Sequence, residues 1–143
     1  MSLLAAIRPD DWNLPLFLHI LAAMVLVGAV VFAITSTSAG NMRVAYRTLL
    51  IAVIPSWLVM RIAAQWLVSK EHLEDVDPEP AWVGVGFATS EGSLLLLIAA
   101  TICAGIAARR GSTGGLRTAT LVLVAISLVA YGVAIWAMST KPI

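Results

Sequence analysis

Three ionisable side chains lie inside long apolar stretches of this sequence: His19, Arg61 and Glu91. If such a stretch crosses a membrane, a charged group within it costs about 3 kcal/mol on insertion scales. Each of the three therefore requires a partner or a function. Arg61 and Glu91 have opposite charge, and the long arginine side chain can reach across to a neighbouring helix. We predict an ion pair between them.

A fourth polar side chain shares the depth of these three. Counted inward from the nearest tryptophan at the helical rise per residue, His19 lies at about 10 Å and Arg61 at about 8 Å. Glu91 lies at about 13 Å and Tyr131 at about 8 Å by the same count. Each of the four apolar stretches thus contributes one hydrogen-bonding or titratable group to a layer about one helical turn thick.

Helical spacing adds further members to this polar layer. Residues four apart return to the same face of a helix, so Trp57, Arg61 and Gln65 form one stripe. Ser127 and Tyr131 form a second stripe with the same spacing. Because an indole face attracts a cation, we expect Trp57 to stack on the Arg61 guanidinium.

The seven side chains of this layer allow two interpretations. Donors and acceptors at one depth can bind a polar headgroup, a quinone, an anion or a proton. A buried Arg–Glu pair can equally do no more than fix helix register, and a membrane histidine can simply bond a carbonyl. We favour binding or transport of a small ligand or ion over catalysis. A structural accessory subunit is the alternative.

Outside this layer we expect no metal, nucleotide or nucleic-acid site. Cys103 is the only cysteine, which excludes an intrachain disulfide and a CxxC motif. His72 lies in the segment KEHLEDVDPEP, whose spacing matches no metal-binding loop, so we interpret it as a solvated acidic loop. The segment GSTGG is not followed by the lysine that a phosphate-binding loop requires.

Four apolar stretches must position the polar layer. The 143 residues are 60% hydrophobic and only 12% charged, with a mean hydropathy of +0.95, which is typical of a membrane protein. About twenty apolar residues cross the hydrocarbon as a helix. The stretches near this length are 14–35, 48–68, 81–107 and 116–138. We predict an all-α integral membrane protein, an up-down four-helix bundle that forms a single domain over residues 1–143.

The charges predict the orientation of this bundle. Loops 36–47 and 109–115 contain arginine but neither Asp nor Glu, whereas the segments on the other side are acidic. Positively charged loops remain in the cytoplasm, so we predict cytoplasmic loops and an N-out/C-out topology in a bacterial inner membrane. One tryptophan lies at the predicted outer end of each span: Trp12, Trp66, Trp82 and Trp136. No basic segment precedes the first apolar residues, so we expect no cleaved signal peptide.

The string LHILAAMVLVGAVVF, with His19 early in the first span, resembles the opening helix of copper-resistance-D-like proteins and related uncharacterised small integral membrane proteins. The resemblance covers that span and the four-helix plan. It implies a bacterial inner-membrane protein in which His19 contacts a metal or haem. Because no second histidine lies in a membrane stretch, bis-histidine haem ligation within one chain is excluded.

Two further expectations concern cofactors and partners. A haem- or quinone-binding oxidoreductase is a second alternative, in which His19 is a ligand or proton donor and Arg61 holds a propionate or a quinone oxygen. Small residues along the spans favour close helix packing in the bilayer. We expect the chain to form a homo-oligomer or to join partner membrane subunits.

Overall fold

The computed structural model describes residues 14–70, 81–111 and 114–139, and all of these except 39–41 and Gly111 are helical. Four helices are long and apolar enough to span a membrane, and the described residues contain no strand. This confirms the all-α, four-helix prediction. Helix α1 is Leu14–Ser38, α3 is Ala81–Arg110 and α4 is Gly114–Ser139. Helix α2 is continuous through Met42–Thr48, the π-helical segment Leu49–Val53 and Ile54–Lys70.

The connection between α1 and α2 is shorter than the predicted loop 36–47. Gly40, with φ of +80°, follows α1, and this left-handed conformation is readily adopted by glycine. The Asn41 side chain then accepts a hydrogen bond from the Val44 N–H at 3.4 Å, which caps α2 at its start. Helix α2 therefore begins at Met42, and only residues 39–41 connect the two helices.

The error in the predicted loop came from its polar residues. Serine and threonine are common in turns, so their abundance after residue 34 indicated a loop. In the structure their hydroxyls bond within α1 instead: Ser36 donates to Phe32 O at 2.9 Å and Thr37 donates to Ala33 O at 2.7 Å. Bonding to the preceding turn lets these residues stay helical. The predicted loop 109–115 is likewise shortened, because α3 continues to Arg110 and α4 starts at Gly114.

Pro55 lies directly after the π-helical segment of α2. Proline has no N–H to donate, and its ring crowds the carbonyl four residues earlier. The Ile54 N–H donates to Leu49 O, five residues back, which is the wider π-type spacing. A proline inside a helix favours such a disturbance, and α2 accommodates Pro55 by this change of spacing.

The packing order of the helices leaves one weak side. Helix α1 packs against α2 and α4, and α3 packs extensively against α4. Helix α3 meets α2 mainly through Met42–Thr48, whereas the longer segment Ile54–Lys70 touches α3 sparsely. Close approach along α3 uses fully buried small residues, among them Ala100 and Ala104. The bundle is therefore tight between α3 and α4 and loose between the second half of α2 and α3.

The up-down topology gives the bundle two distinct ends. The arginine end, as we name it, carries Arg43, Arg47, Arg109, Arg110 and Arg117. The opposite tryptophan end carries Trp66, Trp82 and Trp136, one on each of α2, α3 and α4. Trp12 lies outside the described residues. This distribution places the three described tryptophans at the same end of the bundle.

Arg117, in the first turn of α4, holds the end of α1. Its Nε donates to Thr37 O at 2.9 Å, and a terminal guanidinium nitrogen donates to Ser38 O. Carbonyls in the last turn of a helix lack partners within the helix, so these bonds cap α1 with a positive charge.

We expect Arg117→Met to lower the free energy of unfolding by about 1.5 kcal/mol, because hydrogen bonds from a charged donor are lost. Arg110→Met is the matched control, since Arg110 is exposed at the same end, and we expect a change of less than about 0.5 kcal/mol. Thermal unfolding in detergent micelles measures both. Equal losses in the two variants would contradict a capping role for Arg117.

Candidate functional site

Two contacts of the polar layer tie α2 to its neighbours. His19 Nδ1 on α1 lies 3.2 Å from Met60 O on α2. A carbonyl can only accept, so this hydrogen bond requires the proton on Nδ1. The buried Trp57 indole on α2 donates from Nε1 to Ser90 O on α3 at 3.0 Å. His19 and Trp57 thus satisfy main-chain carbonyls and fix how α2 lies against α1 and α3.

A third contact ties α3 to α4. Ser93 Oγ lies 2.8 Å from Tyr131 OH and also 2.8 Å from Ser90 O, and both partners are buried. Ser127, one turn before Tyr131, donates to Leu123 O of its own helix at 2.9 Å. Ser127 is fully buried, and among the described residues it makes no hydrogen bond to another helix.

The Arg61 guanidinium is the centre of a separate group. Its Nη2 lies 3.2 Å from Glu91 Oε1 across the α2–α3 boundary, which is the predicted ion pair. Its Nη1 donates to Gln65 Oε1, one turn further along α2, at 3.2 Å. We name Arg61, Gln65 and Glu91 the open polar group.

The aromatic partner of Arg61 differs from the prediction. The guanidinium carbon lies 4.3 Å from the centre of the Phe87 ring, so the cation–π contact is made with Phe87. The expectation that Trp57 would stack on Arg61 is wrong, because the Trp57 indole is buried and its N–H bonds to Ser90 O. The guanidinium instead extends toward Gln65 and the tryptophan end.

Side-chain exposure distinguishes the open polar group from the hydrogen bonds that His19, Trp57 and Tyr131 make between helices. The Glu91 side chain is 63% exposed and that of Arg61 is 25% exposed. An open groove of about 490 Å³ lies beside the guanidinium. Its lining residues all belong to α2: Arg61, Ile62, Gln65, Trp66 and Ser69. Since these residues succeed one another toward the end of α2, the groove leads from the guanidinium to the tryptophan end.

With the middle of each span placed at the bilayer centre, the ion pair lies at the depth of membrane hydrocarbon. Glu91 is about 7 Å from the middle of α3, and Arg61 is about 8 Å from the middle of α2, both toward the tryptophan end. The hydrocarbon extends about 15 Å on each side of the bilayer centre. A guanidinium and a largely exposed carboxylate therefore lie where lipid chains would otherwise surround them.

This arrangement leaves hydrogen-bonding capacity on both charged partners. A guanidinium has five N–H donors, and Arg61 uses one for Gln65 and one for Glu91. Among the described residues, no hydrogen-bond partner contacts Glu91 Oε2 or the remaining Arg61 donors. The open polar group can thus both donate to and accept from an external molecule, while its two charges cancel.

Neither Phe87 nor the serines were identified from the sequence. Phe87 lies four residues before Glu91, so the spacing that linked Trp57 to Arg61 would have placed Phe87 beside Glu91. Ser90 and Ser93 are three residues apart and share a face of α3, but neither stands at helical spacing from Glu91, so the spacing gave no such signal for them. The sequence could not identify the Met60 carbonyl as the hydrogen-bond acceptor of His19, because every residue carries a main-chain carbonyl.

Within the part of the chain that the structure describes, the other candidate ligands form no metal site. The described residues contain no group of three His, Cys, Asp or Glu side chains that could hold a metal ion. His72 and the acidic loop around it lie outside the described residues. Cys103, on α3, is partly buried and has a free thiol.

No known protein family matches this chain, and neither curated proteins nor solved structures are significantly similar to it. The resemblance of the first span to copper-resistance-D-like proteins therefore stays a prediction.

Proposed function

We propose that this chain binds a membrane amphiphile, whose polar head contacts the open polar group in the tryptophan-end half of the bilayer. The observation that carries this proposal is the exposure of Glu91 at hydrocarbon depth. An ionisable group in hydrocarbon is costly unless a polar partner reaches it. Arg61 neutralises the charge of Glu91, but the exposed carboxylate still requires a polar neighbour on its open side.

Charge balance indicates the class of headgroup. The Arg61–Glu91 pair has no net charge, so an added anion would introduce an uncompensated charge in a region of low dielectric constant. A zwitterionic head, or an uncharged one such as a quinone ring, avoids this cost. Acceptor atoms of the head would bond the remaining Arg61 donors, and a donor would bond Glu91 Oε2. Ile62 and Trp66 supply apolar contact for the rest of the ligand.

The alternative of a quinone-binding oxidoreductase requires a ligand of the same class, because a quinone head is uncharged. A quinone oxygen accepts hydrogen bonds from a guanidinium, as the proposed head does. His19 is less suited to this role, because its Nδ1 is already bonded to Met60 O on the side of α2 that meets α1. A quinone would therefore be held by the open polar group.

We also propose an orientation and a membrane. The five arginines of the arginine end, and the absence of Asp and Glu from sequence segments 36–47 and 109–115, favour a cytoplasmic location for that end. The open polar group then belongs to the outer leaflet. A bacterial inner membrane fits this pattern. In the competing explanation, a second copy of the chain or a partner subunit packs against the exposed Glu91 side chain.

Native mass spectrometry of protein released from mild detergent tests the proposal, together with a visible absorption spectrum of the same sample. We expect the wild-type chain to retain an uncharged or zwitterionic molecule of defined mass. The test variant combines Arg61→Met with Glu91→Leu. Replacing both charges with apolar residues avoids an unpaired charge and preserves folding.

The expected result is loss of the retained molecule in the folded double variant. If the double variant retained the same molecule, the ligand would lie elsewhere and the proposal would be wrong. A wild-type dimer without any bound molecule would identify the second copy as the cover for Glu91.

A further inference from the structure

A second groove lies at the arginine end, between the start of α2 and the last turns of α3. It has a volume of about 250 Å³ and is independent of the open polar group. The lining residues come from both helices: Tyr46, Thr101, Ile102, Gly105, Ile106 and Arg109. Apolar and hydroxyl-bearing side chains lie deeper in the bundle, and the arginine lies at the end.

The groove depends on a missing side chain at Gly105. A Cβ built at this position would lie 3.0 Å from Cε2 of the Tyr46 ring, closer than ordinary carbon contacts. The ring therefore rests directly on the α3 backbone. Helical spacing places Thr101, Gly105 and Arg109 on one face of α3, so the groove follows that face toward the membrane surface. A groove that follows one helix face can hold an extended acyl chain.

The charge around the groove is positive and unbalanced. Arg109 is exposed at its end, and Arg43, Arg47 and Arg110 are exposed at the same end of the bundle. The sequence contains no Asp or Glu between residues 12 and 70 or after Glu91. Glu91 itself lies about 27 Å from Arg109 along α3. No acidic residue of the spans lies close enough to neutralise these arginines, so this end of the bundle attracts anions.

We propose that this groove binds an anionic glycerophospholipid, with its phosphate at Arg109 and an acyl chain along Ile102 and Ile106. Arginine-rich pockets between membrane helices attract anionic headgroups. The aliphatic lining decides between a lipid and free phosphate, since a phosphate ion would contact only Arg109. This ligand differs from the proposed outer amphiphile in charge, in leaflet and in the residues that bind it.

Native mass spectrometry in mild detergent tests this proposal, with equal amounts of palmitoyl-oleoyl phosphatidylglycerol and phosphatidylcholine added to the protein. The two lipids have the same chains and differ in net charge. We expect one phosphatidylglycerol to be retained per chain in preference to phosphatidylcholine. Arg109→Gln should lower its retention about fivefold, the effect of one arginine at an anionic surface. Arg109→Lys should keep most of it.

Arg110→Gln is the matched control, because Arg110 is an equally placed exposed arginine that does not line the groove. We expect retention within twofold of wild type, and no displacement of the lipid by excess inorganic phosphate. Equal losses in the Arg109 and Arg110 variants would reveal diffuse attraction to the arginine end and overturn the proposal. Equal retention of the two lipids, or displacement by phosphate, would overturn it as well.

Discussion

Glu91→Leu is expected to lower the free energy of unfolding by about 3 kcal/mol, because it leaves Arg61 without its counter-charge at hydrocarbon depth. Gln65 and Phe87 remain as partners of the guanidinium, but neither carries a negative charge. Removing one member of an ion pair costs more than the pair contributes, since the other charge stays unpaired. Chemical unfolding in detergent micelles, followed by circular dichroism, measures the loss.

A double variant that also removes the Arg61 charge provides the control for this prediction. Arg61→Met combined with Glu91→Leu should recover most of the lost stability, since no unpaired charge remains. Gln65→Leu, which removes a neutral partner of the same guanidinium, should cost about 1 kcal/mol at most. If the double variant were as unstable as Glu91→Leu alone, the loss would come from packing rather than charge.

Trp57→Ala is expected to cost a similar amount, about 3 kcal/mol, the lower end of the range for removing a buried aromatic ring. The lower end applies because lipid is as apolar as the bundle core, so the loss comes from packing contacts rather than transfer from water. Trp57 is 5% exposed and ties α2 to α3 where the two helices otherwise touch sparsely. The same unfolding measurement applies.

Two variants separate the contributions of Trp57. Trp57→Phe keeps most of the ring volume and loses the bond to Ser90 O, so it should cost about 1 kcal/mol. Trp136→Ala removes the same side chain from a position that is 66% exposed, and its cost should stay below about 0.5 kcal/mol. A loss at Trp136 as large as that at Trp57 would mean that Trp57 has no special role in the bundle.

The four spans were predictable because an apolar run long enough to cross a membrane has few other uses. The ends of the spans were less predictable. Ser36 and Thr37 indicated a loop by composition, yet their hydroxyls bond to the preceding turn and leave α1 intact. Helix α1 ends at Ser38, and Gly40 shortly after it has a left-handed backbone conformation. Gly40 stands in a run of turn-forming residues, so the sequence alone did not single it out as marking the end of the helix.

The polar layer was predictable in depth but not in detail. Position along a helix follows from counting, so His19, Arg61, Glu91 and Tyr131 could be placed at one level. The rotation of each helix about its own axis does not follow from counting residues. This rotation decides which side chains face the interior of the bundle. It buries Trp57 and Tyr131 and leaves Glu91 exposed. Sequence reasoning therefore gave seven equivalent candidates, of which only Arg61, Gln65 and Glu91 form the open polar group.

The most direct test of the central claim is photo-crosslinking from the groove in intact membranes. A benzoylphenylalanine placed at Ile62, which lines the groove and is 67% exposed, should form an adduct of one defined mass. The same probe at Ile135, which is 59% exposed on α4 and lies outside the groove, should give a mixture of bulk lipid adducts. Indistinguishable mixtures at the two positions would contradict a specific amphiphile beside Arg61 and Glu91.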